Sequence, residues 1–168
     1  FRVFEPGERF AVGDLVVGTF ATSHDCACPV GYTVEAGEQR MTLCTDLGVV
    51  TRGVLEGVRG AGLLVGEFNY DLEMLRSGPY PARLKERILG RQGHLSNETG
   101  GKLAAWAVQQ GTGRVVLAHL SKENNAPGTA LTAAERAMSA IQARVGKDVE
   151  LTVAPREENS GWMEVPGC

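Results

Sequence analysis

The sequence predicts a layered α/β domain, and three observations carry that expectation. GLLVGEF and RVVLA are unbroken apolar runs, as in strands covered on both faces. Between and after them, apolar residues recur at helical spacing, and Ser, Thr, Pro and Gly stand where helices should begin or end. The 168 residues, 43% of them apolar, are enough for one domain with a buried core.

The elements follow in order. Residues 10–20 read as two short strands about the Gly13-Asp14 turn, and 30–44 as a hairpin turning at 35–38. Apolar and polar residues already alternate from Phe1, as in a strand in mid-sheet, so an amino-terminal half of the fold is expected ahead of it. Thr51 opens a short helix in TRGVLEGVRG, and the strand over 62–68 ends at Glu67 and Asn69. Helical pieces follow over 71–76 and 81–89; Pro81 suits a first turn, where an N–H would have no intrahelical partner. Ser96-Asn97-Glu98-Thr99 caps a helix through Gln110, and Gly111 and Gly113 break the chain before RVVLA. An amphipathic helix over 127–145 carries Leu131, Ala134, Met138 and Ile141 on one face, and VELTVAP closes the pattern.

Composition narrows the function classes. The net charge of -3 lacks the bias of a protein that grips nucleic acid over a broad face, which leaves room only for a local basic groove. No apolar run approaches the roughly 18 residues that cross a bilayer, and no signal-peptide pattern is present. A cytoplasmic protein with no membrane partner is the expectation. Cys26, Cys28, Cys44 and Cys168 are too few for a disulfide scaffold and read as thiols.

The ionisable residues fall in a regular place. His24, Asp46, Glu67 and His119 each sit at or just past a predicted strand end, and His94 lies on a loop that opens a helix. Neighbouring strand ends of a layered α/β protein converge on one rim, so these residues can meet. Two of the three histidines share the tripeptide His-Leu-Ser, at 94–96 and 119–121. Asp46 also suits a simple turn. Glu67, at the end of LLVGE, would pay a desolvation penalty unless it has a partner or reaches the rim. Helix capping is the leading account of Ser96 and Asn97, ahead of substrate contact. A competing constellation joins His24, Cys26 and Cys28, which share a face on an extended chain, with Cys44 as a fourth zinc ligand. Its spacing departs from the usual two to four residues between paired ligands, and free thiols are the preferred reading.

The strings TSHDCACPVGY, CTDLG, GEFNYDLEMLRSGPYPARLKERILGRQGHLSN and GHLSNETGGKLAAWAVQQGTGRVVLAHLSKENN carry a family resemblance. Over nearly its whole length the chain resembles the later half of a YycJ/WalJ-type metallo-hydrolase of the metallo-β-lactamase superfamily, and more distantly RNase Z. The resemblance implies an αββα sandwich with two divalent metal ions, zinc or manganese or iron, on the rim between its sheets. It implies His24 as ligand to one ion, Asp46 as the bridge, His119 as ligand to the second, and His94 as the acid that protonates the leaving group. Ser96, Asn97 and Asn124 become candidates for substrate binding, and Arg83, Lys85, Arg87 and Arg91 could flank the substrate. The superfamily's His-x-His-x-Asp-His motif has no match in these residues. The expectation is therefore a site completed by an amino-terminal half, with activity of this chain alone in question.

Imidazole and carboxylate ligands suit such ions, which activate water and steady the attacking and leaving oxygens of a phosphodiester. The resemblance points to nucleic acid, DNA foremost, as substrate, with 5′-to-3′ exonuclease action. Two alternatives stand beside it: a non-catalytic interaction module on the same fold, and a small-molecule phosphodiesterase.

Overall fold

A computed structural model describes residues 3–167. Seven strands lie side by side in sequence order, β1 (Arg9–Val12), β2 (Leu15–Ala21), β3 (Val30–Ala36), β4 (Gln39–Cys44), β5 (Leu63–Glu67), β6 (Arg114–Ala118) and β7 (Glu150–Val153). The sheet changes character halfway. β1 to β4 form an antiparallel meander, whereas β4 to β7 are parallel and joined through helices. Two-residue links suffice between β1 and β2 and between β3 and β4, while each parallel step needs a crossover.

The crossovers are α1 (Arg52–Val58) before β5, then α2 (Leu72–Ser77), α3 (Ala82–Leu89) and α4 (Asn97–Gln109) before β6, and α5 (Pro127–Ala140) before β7. Thr51, Asp71 and Ser96 cap α1, α2 and α4 through side-chain oxygens, each satisfying N–H groups that the helix leaves open. The main core lies between the sheet and α1, α4 and α5. Leu64, Val115 and Leu117 from the parallel strands meet Val54, Leu103, Ala104, Ala134 and Met138 there, all but fully buried. A second cluster, Tyr70, Leu75 and Ile88, holds α2 and α3 together.

Two expectations are corrected. The alternation that begins at Phe1 becomes a strand only at Arg9; residues 3–8 form turn and irregular chain, and Phe1 and Arg2 lie outside the described residues. The last long helix stops at Ala140, not 145, because Gln142 turns left-handed at φ 61° and Arg144 folds back to pair with Asp148. Ile141 still packs on the core, as the C-cap, so the apolar spacing outlasts the helix. After β7 the chain runs back to the opposite end of the sheet, where the Glu164 carbonyl accepts from Arg114 at 2.6 Å and the Val165 carbonyl from Gln39 at 2.9 Å. Nothing in the hydrophobic pattern announces that return.

Candidate metal centre

The parallel half of the sheet builds the site. β4, β5 and β6 are adjacent and point the same way, so the chain just beyond each strand emerges on one rim. Asp46 lies two residues past β4, Glu67 is the last residue of β5, and His119 directly follows β6. His24 arrives from the β2–β3 loop and His94 from the loop between α3 and α4.

Backbone contacts lock these loops together. Gly48 N donates to Ser23 O at 2.7 Å, Asp25 N donates to Gln92 O at 3.1 Å, and the Ser23 hydroxyl donates to Arg91 O. Gly48 cannot be replaced in this seam, since a Cβ there would stand 2.2 Å from the Arg91 carbonyl oxygen. Gly100 plays the same part on the other side: a Cβ would come within 2.3 Å of Glu67 O, so a bare helix start lets α4 press against the end of β5. Asp46 and His119 hold left-handed backbone, φ 59° and 61°. Such conformations cost of order 1 kcal/mol or more and cluster where a side chain must be aimed.

The result is three imidazoles around one carboxylate oxygen. His24 Nε2 lies 3.5 Å from Asp46 Oδ1, His119 Nε2 lies 3.8 Å from the same atom, and His94 Nδ1 lies 3.9 Å from it. Ring centroids are 4.8 Å apart between His24 and His94, and 5.2 Å between His94 and His119. His24 Nδ1 sits 3.0 Å from the Gly93 carbonyl, an acceptor only, so Nδ1 carries the proton and the Nε2 lone pair faces Asp46.

Glu67 organises the other two histidines. It has no exposed surface, and Oε1 lies 2.7 Å from His94 Nδ1 and 2.9 Å from His119 Nδ1, while Oε2 accepts from Leu47 N at 2.7 Å. Burial pushes this carboxyl up, but the hydrogen bonds from His119 and His94, with the Leu47 N–H, prevail and hold it below its ordinary range. The hydrogen bond to Glu67 in turn raises the His119 imidazole above its usual value, against the opposing effect of burial. A carboxylate on Nδ1 fixes the tautomer and leaves Nε2 open, the arrangement found behind metal-binding histidines.

The donor set fits a metal. Two groups have ligand atoms all within 4.8 Å of one another, His24 with Asp46 and His94, and Glu67 with His94 and His119. Nitrogen and carboxylate donors of this kind suit zinc, manganese or iron. The cysteines join neither group: Cys26 and Cys28 are exposed on a bent segment and Cys44 is buried, so the His24-Cys26-Cys28-Cys44 constellation does not form. Burial pushes the Cys44 thiol up to about 12, with the Glu67 charge adding to it. Cys168 lies outside the described residues.

A groove of about 880 Å³ opens beside His94 and His119, walled by Tyr80, Leu84, Arg87, Lys122 and Arg156 among others. Of the four basic residues expected near a substrate, Arg87 alone is on this wall; Arg91 faces a shallower neighbouring pocket, Lys85 donates to Arg76 O, and Arg83 is on neither wall. Ser96, Asn97 and Asn124 do not line it either. The Ser96 hydroxyl caps α4, the 2%-exposed Asn97 amide pairs with Asn125, and Asn124 is fully buried beside Ser121. Asn97 and Asn124 are thus buried away from this groove. The residue under-read in the sequence is Glu67, whose signal was a carboxylate closing an apolar strand. Tyr80, Lys122 and Arg156 carried no sequence signal.

Comparison with known proteins places this geometry. No protein-family model matches the chain. It is 40% identical over 124 residues to exodeoxyribonuclease WalJ of Streptococcus pneumoniae, covering 74% of this chain and 46% of that protein. Against exodeoxyribonuclease YycJ of Bacillus anthracis it is 38% identical over 123 residues, 73% of this chain and 47% of that protein. The chain thus spans about half the length of the curated relatives it matches. Among solved structures, the metallo-β-lactamase fold protein YhfI of Bacillus subtilis superposes with a TM-score of 0.65 at 17% identity, over 90% of this chain and 51% of that one. Zinc-bound PqqB of Methylobacterium extorquens superposes at 0.56 and 23% identity, over 91% and 52%. The chain is thus similar in sequence to part of the WalJ and YycJ proteins and shares part of the metallo-β-lactamase fold with those solved structures.

Proposed function

We propose that the protein is a metal-dependent phosphodiesterase acting on DNA. The observation that carries this reading is the convergence of His24, His94 and His119 about Asp46, with the buried Glu67 behind His94 and His119, in a chain 40% identical to a protein named as an exodeoxyribonuclease. His24, Asp46 and His119 are the residues that would hold two divalent ions, with Asp46 shared between them. Such ions supply Lewis acidity toward a phosphoryl oxygen and activate water for attack.

The chain's own residues divide the remaining work. Asp46 and His119 are aimed by their left-handed backbone, and Glu67 holds the His119 ring so that Nε2 faces Asp46. The proton-transfer role falls to His94 because His119 turns its Nε2 toward Asp46, at 3.8 Å, whereas the nitrogen of His94 nearest Asp46 is the Nδ1 already on Glu67, at 3.9 Å, and His94 also stands on the wall of the groove that would take the substrate. From Nε2 it would deliver a proton to the departing alkoxide. The zinc in the PqqB structure and the fold shared with it support a metal-binding reading of the rim.

The test is nucleotide release from linear DNA by the full-length protein with manganese or zinc, with and without a chelator. Stepwise release from the 5′ end that stops on chelation is the expected result. Hydrolysis of an activated small diester with no action on DNA would move the protein to the small-molecule class. Metal binding without any hydrolysis would leave only an interaction module.

A further inference from the structure

The groove beside His94 and His119 has a charge and shape that the metal chemistry alone does not require. Its wall carries three cations, Arg87, Lys122 and Arg156, and no Asp or Glu, although the chain has 20 acidic residues against 17 basic ones. Arg87 is already neutralised by a two-point pair with Asp25, its Nη2 donating to Oδ1 at 2.9 Å. The other two remain available. Arg156 donates to the Leu120 carbonyl, at 3.3 Å, and among the described residues neither it nor Lys122 has a carboxylate partner. Both side chains are exposed.

Apolar surface completes the same groove. Tyr80 and Leu84 are partly exposed into it and backed by the buried Tyr70, Leu75 and Ile88, so the ring rests on a packed support. A half-open aromatic ring near unpaired cations is the combination that takes a single strand of nucleic acid, because an unpaired base offers a face to stack on and its backbone offers charge. Paired bases in a duplex offer no such face. The volume of about 880 Å³ lies in the upper part of the roughly 300–1,000 Å³ of ligand clefts.

From this juxtaposition we propose that the groove seats the single-stranded DNA segment next to the scissile phosphate, with Tyr80 stacking on an unpaired base and Lys122 and Arg156 taking its phosphates. The assignment rests on the DNA phosphodiesterase reading and specifies where that substrate lies. Tyr80, Lys122 and Arg156 are positioning residues, distinct from the rim that would hold metal.

The experiment is fluorescence anisotropy of a labelled short oligothymidylate with the full-length protein in excess EDTA, so that nothing is cleaved during the measurement. Lys122→Ala with Arg156→Ala should weaken binding at least tenfold. It should also flatten the slope of log affinity against log salt by about 1.4, or 0.7 for each lost phosphate contact on a single strand. Tyr80→Leu should weaken binding about tenfold while Tyr80→Phe, which keeps the ring, binds like the parent. An unaltered affinity and salt slope in the double variant would overturn the proposal, as would a parent that does not bind the oligonucleotide or a Tyr80→Phe protein as impaired as Tyr80→Leu. A parallel DNA-cleavage assay separates the two readings. A parent that cleaves DNA while the double variant binds unchanged removes the groove and keeps the nuclease; a parent that binds with these dependences and cleaves nothing does the reverse.

Discussion

His94-Leu95-Ser96 and His119-Leu120-Ser121 are one tripeptide in two settings. In both, Nδ1 of the histidine meets Glu67 Oε1, at 2.7 and 2.9 Å. In both, the serine hydroxyl accepts a backbone N–H three residues on, from Thr99 at 3.2 Å and from Asn124 at 3.2 Å. The differences lie around that shared frame. The first copy opens a helix, buries Leu95 to 2% exposure and leaves its histidine side chain 16% exposed. The second follows a strand, leaves Leu120 only partly buried and turns His119 left-handed, with the side chain 39% exposed and Nε2 toward Asp46. The tripeptide therefore encodes a capped loop and a ring offered to a carboxylate. What the free Nε2 faces is decided by the element that delivers it.

The largest expected effect separates the two rings. In the full-length protein, His94→Ala should cut turnover on DNA by roughly 10² to 10⁴ while metal content stays, because the proposed ligands are His24, Asp46 and His119; a loss of metal would instead make His94 a ligand, as its place in both ligand groups allows. His119→Ala should lose metal and turnover together, with partial rescue by added metal. Elemental analysis beside single-turnover rates checks both. On an activated diester, whose leaving group departs without a proton, the His94 variant should recover and the His119 variant should not. Equal impairment of His94→Ala on both esters would erase the distinction.

A smaller effect tests what the copies share. Glu67→Gln keeps the shape but removes the charge behind both rings, and should weaken metal binding by about 10 to 100-fold. In metal-free protein it should also return the His119 titration toward the ordinary histidine value, followed by NMR of the ring proton. The sign is definite: a folded-state value raised above 6.5 gives stability that is complete below about pH 6.5 and fades as pH rises through the folded value. A titration unmoved by Glu67→Gln would mean that Glu67 is not the cause.

The smallest effect concerns the serines. Ser96→Ala removes the cap of the 13-residue α4 and should cost about 1 kcal/mol in urea unfolding. Ser121→Ala removes the acceptor of Asn124 N and, at 3.4 Å, of its Nδ2, but no helix cap, and should cost less, about 0.5 kcal/mol. Reversed magnitudes would show that the second copy, not the first, anchors its loop.

Much of this was legible in the sequence because it depends on local rules. Unbroken apolar runs marked β5 and β6, Thr51 and Ser96 marked helix starts, and the rim positions of His24, Asp46, Glu67 and His119 followed from strand ends. Helical spacing overran at α5, because Ile141 packs on the core without being helical while Gln142 reverses the chain. The burial of Asn97 and Asn124 was not legible, because an amide has the same appearance in a sequence whether it faces a ligand or is buried.

By itself the sequence determined the order and kind of the elements and the identity of the ionisable residues at their ends, since period, capping and strand polarity act over a few residues. Only the tertiary structure decided that Glu67 lies between two histidines 25 residues apart, and that Tyr80 shares a wall with Lys122 and Arg156. Those are meetings between loops, fixed by backbone seams such as Gly48 against Arg91 and Gly100 against Glu67, where a missing side chain sets the distance of approach. No one-dimensional pattern records such a distance, because it belongs to two segments at once.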